Sequence, residues 1–188
     1  AIIALLSLLS IYSMAVVVER FVALRWAQRS SLTFAGQVEG ITDAQALREQ
    51  ASSPEYAEFA SLASVVNNSL EEYERLRSEE TDGDVIYEAV EDFTTRQLDV
   101  AVLNMRARLT SMATVAGVAP FLGLFGTVTG VISAFRGIAE TGGGGLAAVS
   151  SGVSEALVTT VIGLFVAMPA LWAYNYFMNR VDVMSVEI

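Results

Sequence analysis

Gly152-Val153-Ser154-Glu155-Ala156-Leu157-Val158-Thr159-Thr160-Val161-Ile162-Gly163-Leu164 sets one carboxylate inside an otherwise uncharged apolar run over 153–177. As an α-helix that run is about 37 Å long, enough to cross the roughly 30 Å hydrocarbon core of a bilayer with some tilt. A carboxylate at such depth is expensive, and where one persists the default reading is that protons or ions use it. Glu155 is therefore the leading functional residue.

Two more runs meet the same length rule. One covers 1–18 and ends at Glu19-Arg20-Phe21; the other covers 111–135 and is uncharged throughout. The chain opens without a methionine, so the first helix is expected to lack its natural beginning. It is read as a span rather than a cleaved leader, since no basic segment precedes it and no small-residue cleavage site follows.

Composition agrees with a membrane protein carrying an acidic water-exposed part. The chain is 53% hydrophobic yet bears a net charge of −10, so apolar and charged residues must occupy separate stretches. Cysteine and histidine are absent and all eleven basic residues are arginine. Structural zinc, haem ligation, disulfides, histidine acid-base chemistry, a Walker A lysine and a Schiff-base lysine are thereby excluded. With no catalytic triad, metal cluster or phosphate loop in view, an enzyme is not expected, and neither is a metal, an organic cofactor or a nucleic-acid partner.

Arginine placement sets the expected orientation. Arg20, Arg25 and Arg29 follow the first run, Arg96, Arg106 and Arg108 precede the second, and Arg180 follows the third, whereas the link over 136–152 holds one arginine. By the positive-inside rule the segment 19–110 and the tail 178–188 are cytoplasmic, and the link with Gly142-Gly143-Gly144-Gly145 faces outside. Trp26, Trp172, Tyr174 and Tyr176 suit the inner interface.

The cytoplasmic segment reads as three or four helices. Thr42 to Gln45 and Ser52 to Glu55 have capping-box spacing, the latter with Pro54 in the first turn, and Thr81-Asp82-Gly83-Asp84 marks a break before a long helical pattern. Leu98, Val102, Met105, Leu109 and Met112 recur at steps of four and three with no breaker before the second span, so one helix is expected to run from cytoplasm into membrane. This stripe reads as packing. The acid-rich stretch 71–80 is interleaved with Arg75 and Arg77 and lacks a calcium-loop pattern, so it reads as a solvated helix face.

Small residues in the spans point to close helix contact. Gly123, Gly126 and Gly130 lie in the second span, and Gly163 and Ala167 repeat the small-xxx-small spacing in the third. Pro120 and Pro169 each free a backbone carbonyl that lipid cannot satisfy, so both are expected to bend their helices and face protein or water.

These residues carry a resemblance. Phe121-Leu122-Gly123-Leu124-Phe125-Gly126-Thr127-Val128 with Gly130, Ala134-Phe135 and Ile138-Ala139, then Glu155-Ala156-Leu157 with Thr160, Gly163-Leu164, Met168-Pro169-Ala170 and Tyr174-Asn175, resemble the ExbB/TolQ/MotA family. Val18-Glu19-Arg20-Phe21 at the first-span exit is similar too, whereas the cytoplasmic insert shows little to match. The resemblance implies an all-α integral membrane protein with three transmembrane helices and a large helical cytoplasmic domain. It further implies a proton-driven motor: a homo-oligomer, a pentameric ring, enclosing a dimer of a single-span partner of the ExbD/TolR type, with the second and third spans lining a central pore. Carried over by motif, the pore-lining polar groups are Thr127, Thr160 and Glu155, and protons are the coupling ion. A TonB-like, TolA-like or motility partner would receive the work, and the bacterial inner membrane is the expected location. The single spans on each side of the link fit ExbB and TolQ better than four-span flagellar stators.

Thr159 beside Thr160 departs from the motif and leaves two candidates for one role. Thr127 and Thr160 each sit about 10 to 12 Å from the outer ends of their runs, so they can form one hydroxyl layer. Glu155 lies roughly 140° around the helix from Thr160 but shares a face with Thr159. The helical wheel thus favours Thr159 as its neighbour and the motif favours Thr160. The plainer alternative for Glu155 is a carboxylate reaching the outer interface, and the plainer alternative for the whole chain is a non-conducting membrane scaffold. A scaffold has no reason to bear the cost of a buried acid.

Overall fold

The computed structural model describes residues 2–41, 43–53, 62–79, 82–141 and 145–187, which form six α-helices and, among the described residues, no strand. They are α1 (Ile2–Val38), α2 (Ala44–Ala51), α3 (Leu62–Ser78), α4 (Gly83–Arg106), α5 (Leu109–Thr141) and α6 (Gly145–Glu187). Three helical stretches, within Ile2–Val38, Gly83–Ala139 and Val149–Ser185, are long and apolar enough to cross a membrane. The expected link over 136–152 is helical at 136–141 and 145–152, and 142–144 lie outside the described residues. At 1.5 Å per residue α5 and α6 are about 50 and 64 Å long, so both exceed the hydrocarbon core.

The chain divides into two compact units, 1–18 with 108–177 and 19–107 with 178–188. In the first, Leu6 of α1 is fully buried among Val115 and Ala119 of α5 and Val166, Ala167 and Ala170 of α6, with Leu9, Leu122 and Ile162 packed around them. Five of those six core residues are Ala or Val, because helices in lipid gain from close van der Waals approach rather than from escaping water. Tyr12 donates its hydroxyl to Ser111 Oγ at 2.9 Å, a second tie between α1 and the start of α5. Outward-facing Leu8, Ile11, Phe121, Phe165 and Trp172 are exposed, as residues facing lipid or a neighbouring helix should be. Trp172 stacks on Tyr176 at 5.8 Å between ring centres, placing two of the expected interfacial aromatics together.

The second unit is a helical bundle around Phe34, Ala51 and Ala63. Here α3 and α4 form an antiparallel pair, joined by Thr94 Oγ1 to Ser69 Oγ at 2.8 Å and Asn68 Nδ2 to Gln97 Oε1 at 3.1 Å. Arg106 pairs with Asp182 at 2.7 Å and Arg180 donates to Gln28 Oε1 at 2.7 Å, binding the end of α6 to α4 and α1. The acid-rich stretch is a solvated face: exposed Arg75 bonds Glu72 at 2.6 Å and Glu79 at 2.9 Å. Its guanidinium holds the Glu72 carboxyl below the usual carboxylate range.

The helix boundaries correct three expectations. The N-cap of α2 is Asp43, whose carboxylate accepts from the Gln45 and Ala46 backbone N–H groups, rather than Thr42, which lies outside the described residues. Asp43 prevails because a carboxylate also complements the positive helix start. Ser52 is the C-cap of α2, its hydroxyl donating to Arg48 O at 2.8 Å, and Pro54 and Glu55 lie outside the described residues. Asp82 caps α4 as the sequence predicts, and Glu80 and Thr81 are outside the described residues. The unbroken helix expected across the membrane boundary breaks at Ala107-Arg108: Ala107 is extended, and Arg108 takes a left-handed φ of 65°. Neither residue type is a breaker, so the break runs against local preference. The stripe on either side is packed as expected, with Met105, Leu109 and Met112 buried.

Candidate functional site

The two spans that carry the polar residues meet along a seam of small side chains. On α5, positions 119, 123, 126, 130 and 134 face 163, 160, 159, 156 and 152 of α6, an antiparallel pairing. A Cβ added to Gly123 would stand 2.9 Å from both Thr159 O and Thr160 Cα. One on Gly163 would stand 2.7 Å from Ala119 O, and one on Gly130 2.6 Å from Ala156 Cβ. At Gly126 it would collide with the Thr159 side chain. All four glycines singled out in the sequence therefore serve packing, and they let one backbone come within hydrogen-bonding reach of the other.

That reach is used by hydroxyls. Thr160 Oγ1 lies 3.1 Å from Gly123 O and 3.5 Å from Thr127 Oγ1, while Thr127 donates to Leu124 O at 2.6 Å. The layer expected from depth along the two helices is thus formed directly. Thr159 is buried, with its hydroxyl 2.7 Å from Ala156 O and 3.2 Å from Gly123 O. Thr159 shares a recess with Glu155, whereas Thr160 meets Thr127 and does not line that recess, so the neighbour of Glu155 is the one the helical wheel favours rather than the one the motif favours.

Glu155 is exposed on the surface of the single chain and lines a recess of about 480 Å³. Thr129, Ser133 and Thr159 supply its other polar side chains, and Gly126 and Gly130 lie in its wall. Thr129 and Ser133 are functional candidates that the sequence reasoning passes over. Their signal is spacing, since they stand four apart on α5, one on either side of Gly130. Neither proline ends its helix. Pro120 is half-buried in α5 and Pro169 is exposed on α6.

Comparison with known proteins bears on this arrangement. The model of the MotA/TolQ/ExbB proton channel family matches residues 58–188. The Tol-Pal system protein TolQ of Pseudomonas aeruginosa is 33% identical over 181 residues, covering 93% of this chain and 76% of the relative. The biopolymer transport protein ExbB of Pseudomonas putida is 35% identical over 146 residues, 78% of this chain and 44% of that protein. ExbB of Neisseria gonorrhoeae is 50% identical over 72 residues, 38% of this chain and 32% of that protein. The chain thus spans about three quarters of one relative and less than half of the others.

Proposed function

The chain belongs to the MotA/TolQ/ExbB proton channel family, and from that premise we propose that it is one subunit of a proton-motive-force-driven motor of the inner membrane. The observation that carries this is the polar arrangement inside an otherwise apolar helix pair: Glu155 in its recess and the Thr160–Thr127 hydroxyl contact at one level of the seam. Glu155, Thr127 and Thr160 are half-buried or exposed in one subunit, and polar groups at bilayer depth need a shared polar interior. A closed homopentamer supplies it, with α5 and α6 facing a central pore that encloses the spans of two ExbD/TolR-type partner subunits.

In this reading the segment 19–110 and the C-terminal tail are cytoplasmic, as the arginine bias indicates. Each proton crossing 100 mV releases about 2.3 kcal/mol, so mechanical work requires several in sequence. Thr127 and Thr160 receive or relay hydrogen bonds to an acid of the enclosed partner or to water beside it, and Glu155 exchanges protons. The partner determines which process is driven, whether nutrient import, envelope maintenance or motility. The test is Glu155→Gln: native mass should show an intact ring, and proton-gradient-dependent work should be lost. Full activity of that variant would overturn the reading.

A further inference from the structure

The recess beside Glu155 has a chemical polarity that its residue types alone do not reveal. Thr129 Oγ1 lies 2.9 Å from Phe125 O and 3.1 Å from Gly126 O, and Thr159 Oγ1 lies 2.7 Å from Ala156 O and 3.2 Å from Gly123 O. A hydroxyl has one hydrogen and two lone pairs, so each threonine spends its hydrogen on helix backbone and offers only lone pairs elsewhere. An ionised Glu155 is likewise an acceptor without a hydrogen to give. Three of the four polar side chains in the recess therefore accept, and Ser133 alone keeps a rotatable hydroxyl.

A wall of acceptors selects its occupant. It disfavours anions, turns the hydrogens of any water toward itself, and suits a species that carries positive charge and presents donors or a bare cation surface. At about 480 Å³ the recess admits a cluster of waters, each of which takes about 30 Å³ in the liquid, around such an ion.

We propose that this recess is a station within a single subunit for a hydrated monovalent cation, hydronium or an alkali ion, with Thr129 and Ser133 as the residues that position it against Glu155. The proposal rests on the motor reading above and adds to it a place for the coupling ion apart from the Thr127–Thr160 layer. As hydronium, the occupant gives one proton to a Glu155 carboxylate oxygen, leaving a neutral carboxyl and a water; release reverses the step, the carboxyl proton passing to a water. As an alkali ion, it pairs with the carboxylate and no covalent bond changes. In both cases the threonine lone pairs replace part of the lost hydration.

The test uses the complete ring with its single-span partner in lipid vesicles, with cation uptake followed under an imposed membrane potential. Thr129→Val keeps the shape and removes the acceptor; Ser133→Ala removes one exposed oxygen. Each should lower flux by about threefold to tenfold, the value of one hydrogen bond, with assembly mass unchanged, and Thr129→Ser should restore it. The infrared carboxyl band of Glu155 should move in Thr129→Val and return in Thr129→Ser. Flux that follows pH alone identifies hydronium, and flux that follows sodium concentration at fixed pH identifies an alkali ion. If Thr129→Val does not assemble, Ser133→Ala decides alone. Unchanged flux and an unmoved carboxyl band in the assembled variants, with flux lost in Glu155→Gln, would overturn the station and leave the motor reading standing. Full flux in Glu155→Gln would remove the motor reading itself.

Discussion

Adding a single methyl group to the helix seam should separate positions that sequence alone makes look equivalent. In Gly163→Ala the new Cβ would lie 2.7 Å from Ala119 O and 3.0 Å from Gly123 Cα, all backbone atoms that cannot rotate away. Ordinary carbon contacts begin near 3.5 Å, so α5 and α6 must part locally by about 0.8 Å. Thr160 Oγ1 and Thr159 Oγ1, at 3.1 and 3.2 Å from Gly123 O, would then pass beyond bonding distance, and the 3.5 Å Thr160–Thr127 contact would be lost. Overpacking costs about 1 to 3 kcal/mol and each lost interhelical bond in a membrane protein about 0.6, for a total of roughly 2 to 4 kcal/mol. Gly117→Ala is the control: nothing lies within 4 Å of its new methyl, and the substitution should gain about 0.5 to 1 kcal/mol of helix preference. Denaturation of the purified protein in mixed micelles, followed by circular dichroism, measures both. Equal stability of the two variants would refute the close approach of α5 and α6.

Four other outcomes follow from the same geometry. If the proposed motor reading holds, Thr127→Val and Thr160→Val should leave the proposed ring assembled, at a cost of about 0.6 to 2 kcal/mol, while proton-coupled work collapses and the serine variants recover much of it; valine variants that work normally would reduce the layer to packing. Arg108→Gly should be neutral or stabilising by about 1 kcal/mol in thermal melts, because it relieves a left-handed φ, whereas a marked loss would show that the arginine side chain outweighs the backbone cost. Asp82→Ala should cost about 1 kcal/mol by removing the α4 cap, read as a lower melting temperature of the unit formed by 19–107 and 178–188. Since Arg75 depresses the Glu72 carboxyl, the small contribution of that pair is present above the ordinary glutamate value near 4.3 and fades as pH falls through the lowered one. The stability difference between the parent and Glu72→Gln should therefore shrink on acidification, and a difference that grows would reverse the sign.

Three apolar runs, of which 1–18 and 111–135 are uncharged throughout, made the membrane fold legible, and the glycine spacing made the seam legible, because lipid permits few alternatives to a packed helix. The family resemblance singled out Thr127 and Thr160, and rise per residue put them at one level. The break at Ala107-Arg108 was not legible, since neither residue type carries a stop signal. Thr129 and Ser133 were hidden for a different reason: a threonine inside a helix is usually satisfied by its own backbone, and only the position of the facing helix shows that Thr129 shares a recess with Glu155. The choice of Asp43 over Thr42 as a cap turned on a single residue, the scale at which helix ends are least fixed by pattern.

The seam has a mechanical consequence. Because each glycine of one helix meets a different obstacle on the other, Ala119 with Gly163, Gly126 with Thr159, Gly130 with Ala156 and Ala134 with Gly152, the two helices cannot slide past one another by a fraction of a turn without collision. They act as one stiff stave. A force applied at Glu155 is shared by both helices at once, so in the proposed ring the give would belong to the joints between neighbouring subunits, and a working stroke would be a tilting or turning of whole hairpins rather than a piston movement of one helix.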